Sequence, residues 1–327
     1  MALRKSKQPQ ADIPNKIDAL PVRRVAPVVA GVIVAILAAV LIQGLVTNPR
    51  FEWNVVGKYL FNEHVLDGIG WTLILTVASM IIATALSVIL AVMRSSTNVV
   101  LRGVSWFWIW FFRGTPVYTQ LVFWGLFSVL IPRLSLGIPF TSIEFWSIDS
   151  QMVMTATVGA ILGLALNESA YLAEIVRAGL EAVDPGQAEA AQALGMRRSL
   201  IMRRIILPQA MRIIVPPVGN ETIGMLKTTS LVLAVPFTLD LQFATNAIAN
   251  RIYKPIPLLV VACIWYLVIT TILMIVQSRL EKYFGKGFEQ RSIVAVEVDP
   301  HFPGKTSGDL KNEVGKVNQT NWVGLNA

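Results

Sequence analysis

Glu189 to Pro208, EAAQALGMRRSLIMRRIILP, lies between two strongly apolar stretches of this chain. The residues leading into it, Asp184-Pro185-Gly186-Gln187, form a helix start. Asp184 can accept orphan amide hydrogens as N-cap, Pro185 suits the first helical position, and Gln187 stands where a capping-box partner belongs. Gly195, about three turns later, offers a left-handed stop. Between cap and stop, Ala188, Ala190, Ala191, Ala193 and Leu194 leave little side-chain bulk, with Glu189 the single acidic residue. The spacing predicts a slim helix over 184–195, thin enough to enter a groove on another protein.

Composition places this helix in a loop of a membrane protein. Hydrophobic residues make up 54% of the 327 and charged ones only 15%, more apolar surface than a soluble domain carries. A hydrocarbon core of about 30 Å needs about 20 apolar residues per helical crossing. Windows at Val25–Val46, Trp71–Met93, Val104–Ile131, Met152–Ala173, Ile205–Leu226 and Pro257–Val276 qualify, which predicts an all-α membrane protein with about six transmembrane helices. The formal net charge of +8 reads as lysine and arginine on the cytoplasmic face, not as a nucleic-acid footprint. Arg94 with Arg102, the Arg197-Arg198-Arg203-Arg204 cluster, and Arg279, Lys282 and Lys286 fall on one side, so both termini should be cytoplasmic and the protein multi-pass. Val25–Val46 is too long for a signal-peptide core and no small-residue cleavage site clearly follows it; it reads as a retained anchor.

Residues 1–24 form a basic tail and 281–327 a polar one, in which Ile293–Val298 could pair as a short strand. Ser135–Ser150 reads as a short interfacial helix or a folded loop. The third span carries Arg113-Gly114-Thr115-Pro116, so its membrane portion is expected to begin near Thr115. The fifth contains Pro208, Arg212, Pro216, Pro217, Asn220 and Glu221, which predicts a broken helix shielded by protein or lining a wet cavity. Cys263, the one cysteine, reads as a buried inert thiol. His64 and His301 stand far apart, which predicts no metal site. A phosphate-binding loop needs glycines at GxxxxGK[ST] spacing; the nearest stretch, Asp299–Thr306 (DPHFPGKT), lacks the first glycine, so any ATPase must be a separate chain.

Glu189-Ala190-Ala191, three residues, Gly195, nine residues, Ile205, one residue, Leu207-Pro208 resembles without a gap the EAA signature of permease subunits of bacterial ABC importers. Phe112–Pro116, Ala170–Arg177, Pro208-Gln209-Ala210 and Lys227–Leu231 are similar to the polar amino-acid branch. The resemblance covers residues 65–280 and implies a five-helix, MetI-like permease core preceded by an extra helix at 25–46. It further implies that 184–195 is a coupling helix seated in an ATPase cleft, with Asp184, Gly186, Glu189, Ala190, Ala191, Leu194 and Gly195 carrying the joint. The implied partners are two ABC ATPase subunits binding ATP and Mg, a second permease subunit (the same or a homologous chain), an extracytoplasmic solute-binding protein and the lipid of the bacterial plasma (inner) membrane. No cofactor and no catalytic residue is expected in this chain.

A zwitterionic substrate needs donors for its carboxylate and acceptors for its ammonium. Arg113, Thr115, Asn167, Glu168, Arg212, Asn220, Glu221, Lys227, Thr228, Thr229 and Ser230 supply both, and are the candidate substrate path. Glu168 is the most pointed of them, since an intramembrane carboxylate needs pairing or hydration; the bland alternative is a structural pair with Arg212 or Lys227. Glu174 and Arg177 read as an i, i+3 ion pair, and Gly159 with Gly163 as a smooth packing face. An ion-gradient carrier using Glu168 and Glu221 is the alternative function. A membrane enzyme would need a nucleophile, metal or acid–base cluster that the sequence does not display.

Overall fold

The computed structural model describes residues 25–138 and 143–284. The expected basic tail over 1–24, most of the tail over 281–327 and the strand at 293–298 lie outside the described residues.

The chain opens with α1 (Val25–Thr47), whose described side chains, 27–47, are all exposed. Apolar residues cover every face of it, so it has no stripe that would direct packing. A 3-10 turn and α2 (Trp53–Leu60) follow, and the Trp53 indole donates to the Leu45 carbonyl at 3.1 Å, closing the corner between α1 and α2. α3 (Glu63–Arg94) is capped by Asn62, and α4 (Val99–Gly114) by Asn98. Beyond the Thr115-Pro116 break come α5 (Val117–Gly125) and α6 (Phe127–Leu130). Residues expected to form an interfacial helix or loop are instead a hairpin: β1 (Arg133–Gly137) pairs antiparallel with β2 (Glu144–Asp149), Arg133 opposite Asp149. Its strands are largely exposed, and the ladder pairs their backbone groups with each other.

α7 (Ser150–Val153) leads into α8 (Ala156–Glu181), then α9 (Pro185–Ala193), α10 (Arg198–Ile201) and a π-helical turn, Met202–Ile206. α11 (Leu207–Thr228) passes into a 3-10 turn, Thr229–Ala234, before α12 (Leu241–Ile252) and α13 (Pro255–Phe284). Among the described residues, four helices are long and apolar enough to cross a membrane: α1, α3, α8 and α13. Two of the six expected spans differ. The third divides at Thr115-Pro116, close to the expected boundary, and the fifth is too polar to qualify.

α8 is the axis of the bundle, packing against α3, α4, α5 and α11. Leu75, Leu121, Leu164, Leu172, Val232 and Phe237 form the main core, and Val65, Leu241, Leu258 and Val261 a second one under α12. Gly159 and Gly163 let α5 approach the α8 backbone. A Cβ on Gly159 would stand 3.1 Å from the Trp124 carbonyl oxygen, and one on Gly163 2.8 Å from Leu121 Cδ2. The smooth face therefore packs within this chain. α11 is not broken: it runs through Pro216 and Pro217 as one 22-residue helix. The prolines remove two N–H donors, yet the segment stays helical where it packs on α8 and α13. Cys263, expected to be buried, is exposed on α13.

Candidate functional site

Two orientations fix the site. Ser79 of α3 donates to the Ile161 carbonyl of α8, while further along Arg94 and Glu174 share a cavity wall, so α3 and α8 run parallel. α11 runs antiparallel to α8: Ile214 faces Gly179, and Glu221 shares a cavity with Glu168. The loop bearing α9 thus lies at the same end as the α3 C-terminus, and the α3 N-terminus lies at the opposite end.

Midway along α8 is a cavity of about 510 Å³, walled by the α4–α5 break, α8 and α11. Leu164, Asn167, Glu168 and Tyr171 face it from α8, at i, i+3, i+4 and i+7, and Glu221, Met225 and Thr228 from α11 at i, i+4 and i+7. The break contributes Arg113, Gly114, Thr115, Pro116 and Val117. Ending α4 inside a bundle leaves carbonyls without helical partners, which in an apolar medium must be satisfied by side chains. The Asn167 amide donates to the Phe112 carbonyl at 2.8 Å and to Gln120 Oε1 at 3.2 Å. The Gln120 amide in turn donates to the Phe112 carbonyl at 3.0 Å and to Thr115 Oγ1 at 2.7 Å. Trp108 is fixed against α8 by a 3.1 Å bond to Ser169 Oγ. Gln120 is absent from the sequence candidates, although its position four residues beyond Pro116 marks it as able to fold back onto the break.

Glu168 is 8% exposed, and its Oε1 has no hydrogen-bond partner. Neither Arg212 nor Lys227 pairs with it; the ion pairs among the described residues are Arg177 with Glu174 and Glu181, and Lys254 with Glu52. The structural pair weighed for Glu168 is therefore not formed, whereas the expected Glu174–Arg177 pair is, at 2.7 Å. Arg113 lies over the Tyr171 ring, 5.2 Å from its centroid. Arg113, Gly114 and Tyr171 also wall a second cavity of about 520 Å³ toward Arg94 and Glu174, so the stacked pair stands between the two chambers.

Six sequence candidates meet at the first cavity: Arg113, Thr115, Asn167, Glu168, Glu221 and Thr228. Arg212, Asn220, Lys227, Thr229 and Ser230 do not line it. Arg212 is nine residues from Glu221, half a turn round α11, and like Asn220 and Lys227 it is exposed elsewhere. The Thr229 and Ser230 hydroxyls donate to the Leu226 and Lys227 carbonyls, each at 2.7 Å.

The slim helix is built as its ends dictate. Asp184 Oδ1 accepts from Gly186 N–H at 2.8 Å. Gly195 takes φ +76°, with Gly195 N–H donating to the Gln192 carbonyl and Met196 N–H to that of Ala191, the paired bonds of a Schellman stop. The helix has two sides: Ala191 is buried toward the α10 and π-helical segment, while Glu189, Ala190 and Leu194 face outward, Leu194 at 83% exposure.

The family model for the binding-protein-dependent transport system inner membrane component matches residues 83–286. The chain belongs to this family. It is a multi-pass inner-membrane permease, of a family without ATPase activity of its own that works with an ATPase and a binding protein. Its relatives are amino-acid ABC transporter permeases, and it is a member of that group. An arginine transport system permease of Corynebacterium glutamicum is 50% identical over 84% of this chain and 85% of its own length. One of Bacillus subtilis is 34% identical over 67% and 91%. A crystal structure of an amino acid ABC transporter with histidines matches with TM-score 0.57 and 32% identity, over 68% of this chain and 95% of that one. Nothing in these matches supports an ion-gradient carrier.

Proposed function

We propose that this permease imports a cationic amino acid, held in transit in the cavity between the α4–α5 break, α8 and α11. The observation that carries this reading is the imbalance of formal charge in the wall: Glu168 and Glu221 against Arg113 alone, with a buried Glu168 oxygen left without a partner. A substrate with one carboxylate, one ammonium and a cationic side chain complements that wall, Arg113 meeting the carboxylate and the two glutamates the cations. The relatives named for arginine and the neighbour solved with histidines support the same class. In this reading the Arg113–Tyr171 pair separates the occupied chamber from the cytoplasmic one.

Motion comes from outside the chain. Two ATPase subunits, holding ATP and Mg, grip α9 of two permease chains through Glu189, Ala190 and Leu194, and their closure shifts α8 and α11, to which α9 is joined at either end. Both termini face the cytoplasm. The test is ATP-driven uptake by the reconstituted importer. Labelled L-arginine should be taken up and L-glutamate not, and Glu168→Gln with Glu221→Gln should abolish the preference. Uptake of glutamate equal to that of arginine in the wild-type complex would refute the reading.

A further inference from the structure

The end of the bundle opposite α9 carries a third concavity, of about 680 Å³, that the transport path described above does not use. α3 and α12 touch at Gly68, where a Cβ would stand 2.9 Å from Leu241 Cα, and the Thr72 hydroxyl accepts from Leu241 N–H at 3.2 Å. Beside that contact the two helices wall a wedge-like hollow. His64, Asp67 and Trp71, spaced three and four apart, line it from α3; Phe243, Ala247 and Arg251, each four apart, line it from α12. Ala247, with Gly70, keeps the wedge open by its small size, and an edge contact with Phe237 at 5.8 Å fixes the Trp71 ring.

The charges of the wedge are free. Neither the Asp67 carboxylate nor the Arg251 guanidinium has a hydrogen bond or ion pair among the described residues, although they wall the same hollow. A carboxylate and a guanidinium that wall one hollow without closing on each other, with Trp71 and Phe243 in the same wall, match an α-amino acid: guanidinium to its carboxylate, carboxylate to its ammonium, ring to its side-chain stem. We propose that the α3–α12 wedge is an outer capture site for a free zwitterionic amino acid, one per permease chain, distinct from the inner cavity. The site reads the groups common to all amino acids, so selection among side chains stays with the inner carboxylates. The choice of probe rests on the cationic substrate proposed above.

Equilibrium binding of labelled L-arginine to the assembled permease–ATPase complex in lipid nanodiscs, without binding protein, tests this. Two sites per permease chain are expected, of which Arg251→Ala or Asp67→Asn removes one and Glu168→Gln with Glu221→Gln the other. Arg251→Lys should weaken the outer site by about tenfold without removing it. L-Leucine, which lacks the side-chain cation, should compete at the outer site at least tenfold better than at the inner one. A stoichiometry untouched by both wedge variants would overturn the outer site and leave the inner reading standing. The reverse pattern, binding lost with the wedge and unaffected by the glutamates, would uphold the outer site and sink the inner one. If Arg251→Ala instead raises the concentration of binding protein needed to stimulate ATP hydrolysis, with arginine stoichiometry intact, the wedge is a protein-docking surface and the proposal fails.

Discussion

In the proposed mechanism α9 and the α8–α11 cavity are the two working parts, and they are held in opposite ways. Every bond that shapes α9 spans five residues or fewer, from the Asp184 cap to the Met196–Ala191 stop. The cavity is shaped by bonds that cross the sequence: Asn167 to Gln120 over 47 residues, Asn167 to Phe112 over 55, Trp108 to Ser169 over 61. A lever must keep its shape while it is pushed, and local bonds give it that. A chamber assembled from several helices can change shape when those helices slide, because its wall is not continuous chain.

Substitutions on the two parts should therefore fail differently. The largest effect is expected from Ala190→Arg, on the outward face of α9. A bulky cation at a tightly fitted joint should weaken ATPase docking by about 2–3 kcal/mol, or about 30–150-fold. Co-purification with the ATPase reads this, while arginine binding to the permease stays unchanged. Ala191→Arg, on the buried face, should instead unseat α9 from α10 and lower the thermal midpoint of the permease itself. Equal behaviour of the two variants would break the assignment of faces.

Next in size, Glu168→Gln should raise the KM for L-arginine by about 10–100-fold, the loss of one charge-assisted hydrogen bond in a buried wall, with ATPase docking intact. Gly163→Val should destabilise the α5–α8 contact by about 1–3 kcal/mol through overpacking, seen as a lower thermal midpoint in nanodiscs. Unaltered stability there would mean that α5 does not lean on that face. The smallest effects belong to the ends of α9: Gly195→Ala and Asp184→Ala should each cost about 1 kcal/mol locally. Faster amide exchange confined to 184–196 would register both, and exchange spreading into α8 would contradict the view of α9 as a locally held unit.

The helix start at Asp184 and its stop at Gly195 could be read from residue types alone, because caps and left-handed stops depend on neighbours in sequence. The α8 face of the cavity was nearly as legible, since an intramembrane Asn167-Glu168 pair is conspicuous among apolar residues. The α11 face was not. Nine polar residues or prolines crowd Pro208–Lys227, and only the rotation of a helix that stays continuous through Pro216-Pro217 sends Glu221 and Thr228 inward while Arg212, Asn220 and Lys227 turn away. Gln120 escaped notice for a related reason: its partners are carbonyls, which every residue has, so nothing in the sequence marks the ones left orphaned.

By itself the sequence determined the solvent and the shape of α9, since hydropathy and caps act within a few turns. Tertiary structure alone decided which polar groups share a chamber and that a further, charged hollow opens between α3 and α12. Those outcomes follow from the angles at which helices cross and the faces they hide, and both are set by contacts between residues far apart in the chain.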